Sequence, residues 1–178
     1  PFPTCPAVSP EPYTPAETAP CERPPEIGLF DPAVEWQWTA NPVNAPYDRV
    51  ATPPVVFDIT LDGVPDLVFT AFRDSAYNGT GAVVAVSGAD QSTLFSVTSY
   101  DGHDVWGISG IAAATLDGLP ALFVAVDGGL VRLDAEGQLV WFTATPSQSA
   151  GWSAPALGDL EGDGVVDVVL GGTVVDEY

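Results

Sequence analysis

Lysine is absent from this chain, and its basic residues amount to four arginines against 24 acidic side chains, a formal net charge of −20. A phosphate backbone is gripped by clustered basic residues, so this balance excludes nucleic acid as a partner. Histidine occurs once, at His103, and the two cysteines, Cys5 and Cys21, both lie near the beginning. A catalytic triad or zinc site would have to be built on His103, with Asp101 or Asp104 as orienter. A polar turn is the simpler use of Tyr100-Asp101-Gly102-His103-Asp104. General-base options then reduce mostly to carboxylates, and no catalytic residue is assigned. Long hydrophobic runs are missing too: nothing approaches the roughly 18 apolar residues of a membrane span. No hydrophobic signal segment follows Pro1, so a leader, if one existed, is expected to have been removed.

What is present divides into two kinds of chain. Residues 1–32 form a proline-rich leader, with nine prolines among the first 30 residues. Such a segment lacks backbone donors, favours extended polyproline conformation and cannot build a core; it serves as a tether, spacer or strap. Cys5 and Cys21 are expected to close a disulfide loop there, contributing about 3 kcal/mol by loop entropy. Two free thiols, suited to a reducing cytosol, are the alternative. The remainder, with 46% hydrophobic residues over the 178-residue chain, has material for one globular domain over residues 33–178.

Within that domain short β-rich runs recur in a fixed order. Residues 33–39, with Trp36 and Trp38 on one face, alternate polar and apolar side chains and predict an orphan strand. Four runs follow at 54–58, 66–72, 81–87 and 93–97, and four more at 108–112, 121–126, 129–133 and 138–143. A third set begins at 153–158, 167–171 and 173–176 and lacks a fourth run. Trp106 and Trp152 occupy matched positions before the second and third sets, which favours a repeated packing role over a sugar-binding one. Repeats of this length with four strands each are the mark of propeller blades. The blades are expected at about 51–98, 106–143 and, in part, 152–178.

The connection between the first two runs carries the chemistry. Residues 159–167 place Asp159, Glu161, Asp163 and Asp167 at positions one, three, five and nine, with Gly164 at six. Residues 58–66 repeat this with Asp58, Thr60, Asp62 and Asp66 around Gly63. A hard cation such as Ca²⁺ needs six or more oxygens at about 2.3–2.6 Å from a tightly turned loop. The carbonyls of Val64 and Val165 are the natural seventh-position ligands. A third frame, 113–121, keeps Thr115, Asp117 and Gly118 but lacks both end carboxylates, and reads as a turn. Asp-Gly turns between strands are the bland reading of all three frames. Two intact copies in the same strand-loop-strand setting favour Ca²⁺ at 58–66 and 159–167. Calcium loops working at extracellular concentrations agree with a disulfide in placing the protein outside the cell, secreted or at its surface.

These two loops resemble the calcium loops of the FG-GAP/VCBS repeat family, found in integrin α-subunit propellers and many bacterial surface proteins. The resemblance covers roughly residues 50–178. It implies an all-β fold, a β-propeller-like array of four-stranded antiparallel blades with Ca²⁺ between the first two strands of a blade; counting strands gives about three blades in this chain. The sequence departs from the family at position three, where Thr60 and Glu161 replace the usual Asp or Asn, and its Phe-Gly and Gly-Ala-Pro signatures are not recognisable.

Three blades leave closure open. The chain is expected to be a piece of a longer propeller, or half of a six-bladed ring of two copies, or a subunit whose 33–39 strand completes a neighbour's last blade. Asn78, heading Asn78-Gly79-Thr80 in the longest insertion, is a candidate glycosylation acceptor. The reading is an extracellular, calcium-stabilised structural or adhesive protein without catalysis, in a cell-surface assembly or filament. Its expected partners are further copies of itself, another extracellular protein, or a glycan. The competing class is the scaffold of a polysaccharide-binding lectin or polysaccharide lyase.

Overall fold

The computed structural model describes residues 32–145 and 153–176. The chain divides into two compact units, residues 1–37 and 38–178. Of the first unit only residues 32–37 are described, and they take no regular secondary structure; Cys5 and Cys21, and Trp152 of the second unit, lie outside the described residues.

The second unit is all-β and antiparallel. Strands β1 (Val55–Phe57), β2 (Asp66–Phe72), β3 (Gly81–Val86) and β4 (Thr93–Val97) form one four-stranded sheet in sequence order. A short hairpin, β5 (Ser99–Tyr100) and β6 (His103–Asp104), leads to a second four-stranded sheet. That sheet comprises β7 (Ile111–Leu116), β8 (Leu119–Val126), β9 (Gly129–Leu133) and β10 (Leu139–Ala144), again as consecutive neighbours. The third sheet has β11 (Ala156–Gly158), β12 (Asp167–Leu170) and β13 (Thr173–Asp176). Valine-rich runs make these strands because β-branched side chains suit a pleated, packed surface. Between β7 and β8 the frame without end carboxylates closes as a two-residue hairpin, with Asp117 at φ 52° and Gly118 at φ 81°. Two successive positive φ angles match the twist of the flanking strands.

The sheets stack through the middle one. Successive residues of β8 point to opposite faces. Leu122, Val124 and Val126 join Val68, Val83 and Ala85 of the first sheet in one core, while Ala121, Phe123 and Ala125 meet Val168 and Leu170 of the third. Both faces of β8 are therefore dry, which is why its sequence is a continuous apolar run and does not alternate. Its partner β7 lies against β1 and β11, the first strands of the neighbouring sheets.

The strand expected at 33–39 does not form. Alternation specifies which side chains share a face, but a strand also needs an edge to pair with, and among the described residues none pairs with 32–40. Trp38 instead packs edge-on against Phe69, ring centroids 4.9 Å apart. The chain that follows is tied to the first sheet: buried Asn41 donates through Nδ2 to Ser96 Oγ at 2.9 Å, and Asn44 Nδ2 donates to the Ser96 carbonyl at 2.9 Å. Arg49 and Phe72 exchange both backbone hydrogen bonds.

Candidate metal centre

Each acidic loop is closed first by its own backbone. In residues 58–66, Asp58 accepts from the Asp62 N–H at 3.2 Å and the Gly63 N–H at 2.9 Å, and Asp62 Oδ1 accepts from the Val64 N–H at 2.8 Å. Residues 159–167 repeat the pattern. Asp159 accepts from Gly162, Asp163 and Gly164 at 2.6, 3.0 and 2.9 Å, and Asp163 Oδ1 accepts from Val165 at 2.8 Å. The position-six glycines, Gly63 at φ 87° and Gly164 at φ 89°, make this turn at no Cβ cost.

Positions three and nine separate the two loops. Asp66 is fully buried, and its Oδ2 accepts from Ile59 N (3.0 Å), Thr60 N (3.1 Å) and Thr60 Oγ1 (3.2 Å). Its Oδ1 accepts from Gly88 N at 3.1 Å. Four donors surround one carboxylate, so this loop carries its own compensation. Continuing the β2–β3 ladder, the residue across from Asp66 is Ser87, which is buried and uncharged.

At 159–167 the surroundings of the ninth position are acidic. Asp167 is buried and takes one backbone donor, Leu160 N at 2.6 Å. The third position is Glu161, which when ionised cannot donate as Thr60 does. Across the β12–β13 ladder from Asp167 stands Asp176. One carboxylate oxygen each from Glu161, Asp167 and Asp176 lies within 4.8 Å of the other two. Two ligands on one calcium ion at about 2.4 Å can be no farther apart than about 4.8 Å, so this spacing fits a common ion. Glu161, Asp163, Val165, Asp167 and Asp176 together line a depression of about 130 Å³. Repulsion shows in the titration directions. The hydrogen bond to Asp167 and its negative charge raise the Glu161 carboxyl above its ordinary range, with Asp176 adding to the push. The Leu160 N–H holds Asp167 below its own.

Of the expected ligands in this loop, positions three, five, seven and nine converge, while Asp159 is turned to the loop amides. In 58–66, Thr60 and Asp66 meet, Asp58 and Asp62 serve amides, and Val64 is exposed. Asp176 was missed by the nine-residue frame. Gly171-Gly172 signals a two-residue hairpin that pairs Leu170 with Thr173 and hence Asp167 with Asp176.

The other singled-out residues lie elsewhere. His103 belongs to β6; its ring stacks on Phe142 at 3.8 Å, and Nδ1 lies 2.7 Å from the Asp127 carbonyl. Asn78 is exposed in the connection between β2 and β3.

No family model matches the chain, and no curated protein does. The fold is similar to the crystal structure of the V. cholerae biofilm matrix protein Bap1, with a TM-score of 0.67 and 26% identity over 81% of this chain. The chain spans about a quarter of the length of that protein, 26%.

Proposed function

We propose that this chain is a structural or adhesive module of an extracellular matrix, its sheets arranged as successive calcium-stabilised blades of a β-propeller of the FG-GAP/VCBS kind. The observation that carries the reading is the fold shared with a biofilm matrix protein at a TM-score of 0.67. Face-to-face stacking of three sheets, with β1 and β11 each lying beside β7, supports the blade arrangement. Calcium is supported by the five residues around the 159–167 depression. Glu161, Asp163, Asp167 and Asp176 would hold it through carboxylates and Val165 through its carbonyl; bound there, the ion supplies the positive charge that these side chains lack. The chain's own part is to preorganise the loop: Asp159 ties three amides, and the β12–β13 ladder sets Asp176 opposite Asp167. With its turn locked, a blade face is rigid enough to bear contact with a partner.

Assembly belongs to the same proposal. Among the described residues the third sheet has three strands, with β13 at one edge. A sheet edge can accept a further strand from another chain. Particle mass with and without residues 1–40 tests this, and a monomer in both cases would refute it. No catalytic step is assigned.

The experiment for calcium is scanning calorimetry with saturating Ca²⁺ and with chelator. An ion present at about 100 times its dissociation constant adds about 2.7 kcal/mol, or roughly 5–10 °C in Tm for a domain of this size. Superimposable transitions would refute the calcium reading.

A further inference from the structure

A second depression lies at the other end of the strands, between the first two sheets. The segment after β6 is stitched to both. The Val105 carbonyl accepts from Gly81 N at 2.7 Å and Gly107 N donates to the Gly79 carbonyl at 3.0 Å, on the side of the first sheet. On the side of the second, Asp127 N donates to the Asp104 carbonyl at 2.8 Å, and Val105 bridges Val126. Thr80 also bridges Trp106. Backbone bonded on both sides makes a preformed wall.

The cavity has a volume of about 300 Å³, and Asn78, Thr80, Asp104, Trp106 and Asp127 are among the residues that line it. Val105 is fully buried as part of the core beneath it. Half-buried Trp106 is the large apolar group of the lining. Thr80 Oγ1 donates to Asp104 Oδ2 at 2.9 Å, which orients that carboxylate. Asp127 is exposed on the turn after β8, and Asn78 on the loop before β3. A small cleft lined by one tryptophan and a few polar residues has the composition of a ligand site.

The chemistry narrows the ligand. Carboxylates accept hydrogen bonds from hydroxyl pairs, an amide both donates and accepts, and an indole packs against an apolar ring face. Vicinal hydroxyls on one edge of a ring and C–H groups on its face describe a pyranose. With two carboxylates and no basic side chain in the lining, and a chain charge of −20, uronate, sulfated or phosphorylated sugars are repelled.

We propose that this depression is a subsite for a neutral sugar unit of an oligosaccharide, with Trp106 packing on the ring and Asp104, Asp127 and Asn78 holding its hydroxyls. The proposal deepens the matrix reading by naming a partner class, and rests on it only for the presence of glycans around the protein. The test is tryptophan fluorescence and calorimetric titration with chitotriose, cellotriose and mannotriose, with trigalacturonate as the acidic comparison. It is run in saturating calcium, on protein from a host that does not N-glycosylate, because Asn78 heads a sequon. Saturable binding of at least one neutral trisaccharide, weakened about tenfold by Trp106→Ala and by the surface change Asp127→Asn, is expected. Absence of saturable binding by all three, undiminished affinity in folded Asp127→Asn, or preference for trigalacturonate would overturn it. Calcium-dependent melting is read separately, so a failed titration beside a normal calcium shift removes the sugar subsite and leaves the metal centre standing.

Discussion

Asp167 and Asp176 stand opposite one another across the β12–β13 ladder, and each brings a carboxylate oxygen within 4.8 Å of Glu161. Like charges directly opposed in a sheet destabilise it. In the first sheet the corresponding position is Ser87, and Asp66 is met by four donors. The two loops thus share a sequence frame and differ in what their ninth residue faces.

Affinity for calcium rises with the charge of the ligand set. Asp176→Asn is therefore expected to weaken calcium binding about tenfold, or roughly 1.4 kcal/mol, and to raise the melting temperature of the chelated protein by easing repulsion. Titration calorimetry and melting of the variant check both signs. A variant with unchanged calcium affinity places the ion elsewhere.

The same repulsion sets a pH dependence for the metal-free protein. Glu161 ionises above its ordinary value of 4.5, because Asp167 hydrogen-bonds to it and opposes its charge. A carboxyl with a raised folded value contributes stability below its unfolded value and loses that contribution as pH climbs through the raised one. Asp167 is lowered from 3.8, chiefly by the Leu160 N–H, so its contribution is present above 3.8 and lost as pH falls. Chelated protein is expected to melt highest between these limits, and Glu161→Gln to abolish the decline on the neutral side. Melting curves across mildly acidic pH measure this; a decline that survives in Glu161→Gln would refute it.

Position four of both loops is left-handed. Gly162 takes it at φ 76°, while Leu61, 58% exposed, takes it at φ 58°. A non-glycine residue there costs about 1 kcal/mol or more. Leu61→Gly is expected to add about 1 kcal/mol less the entropy of a freer unfolded chain, and Gly162→Leu to subtract a similar amount. Urea denaturation of the pair decides it, and a loss of stability in Leu61→Gly would mean that the leucine is held by its contacts.

Phe123 is fully buried and faces the third sheet. Truncation to alanine is expected to cost about 3–5 kcal/mol. The loss should concentrate in the β11–β13 sheet, read as faster amide exchange there than in β2 and β3. Uniform acceleration across all three sheets would show that the stack melts as one unit.

The period of apolar runs, the Asp-Gly punctuation and the nine-residue frames were enough to place the strands of the three larger sheets to within about four residues, because a strand's faces and turns are local properties; the β5–β6 hairpin, read as a turn, was not among them. Residues 33–39 show the limit: alternation on Trp36 and Trp38 announces faces but says nothing of an edge to pair with, and no strand results. The charge balance of the two loops was decided only by the tertiary structure. Glu161 and Asp167 share the nine-residue frame, but Asp176 reaches them through a ladder, and Gly88 reaches Asp66 from the far end of β3. Whether a carboxylate is compensated depends on what folding carries to within a few ångströms of it, and that neighbour need not be near in the chain.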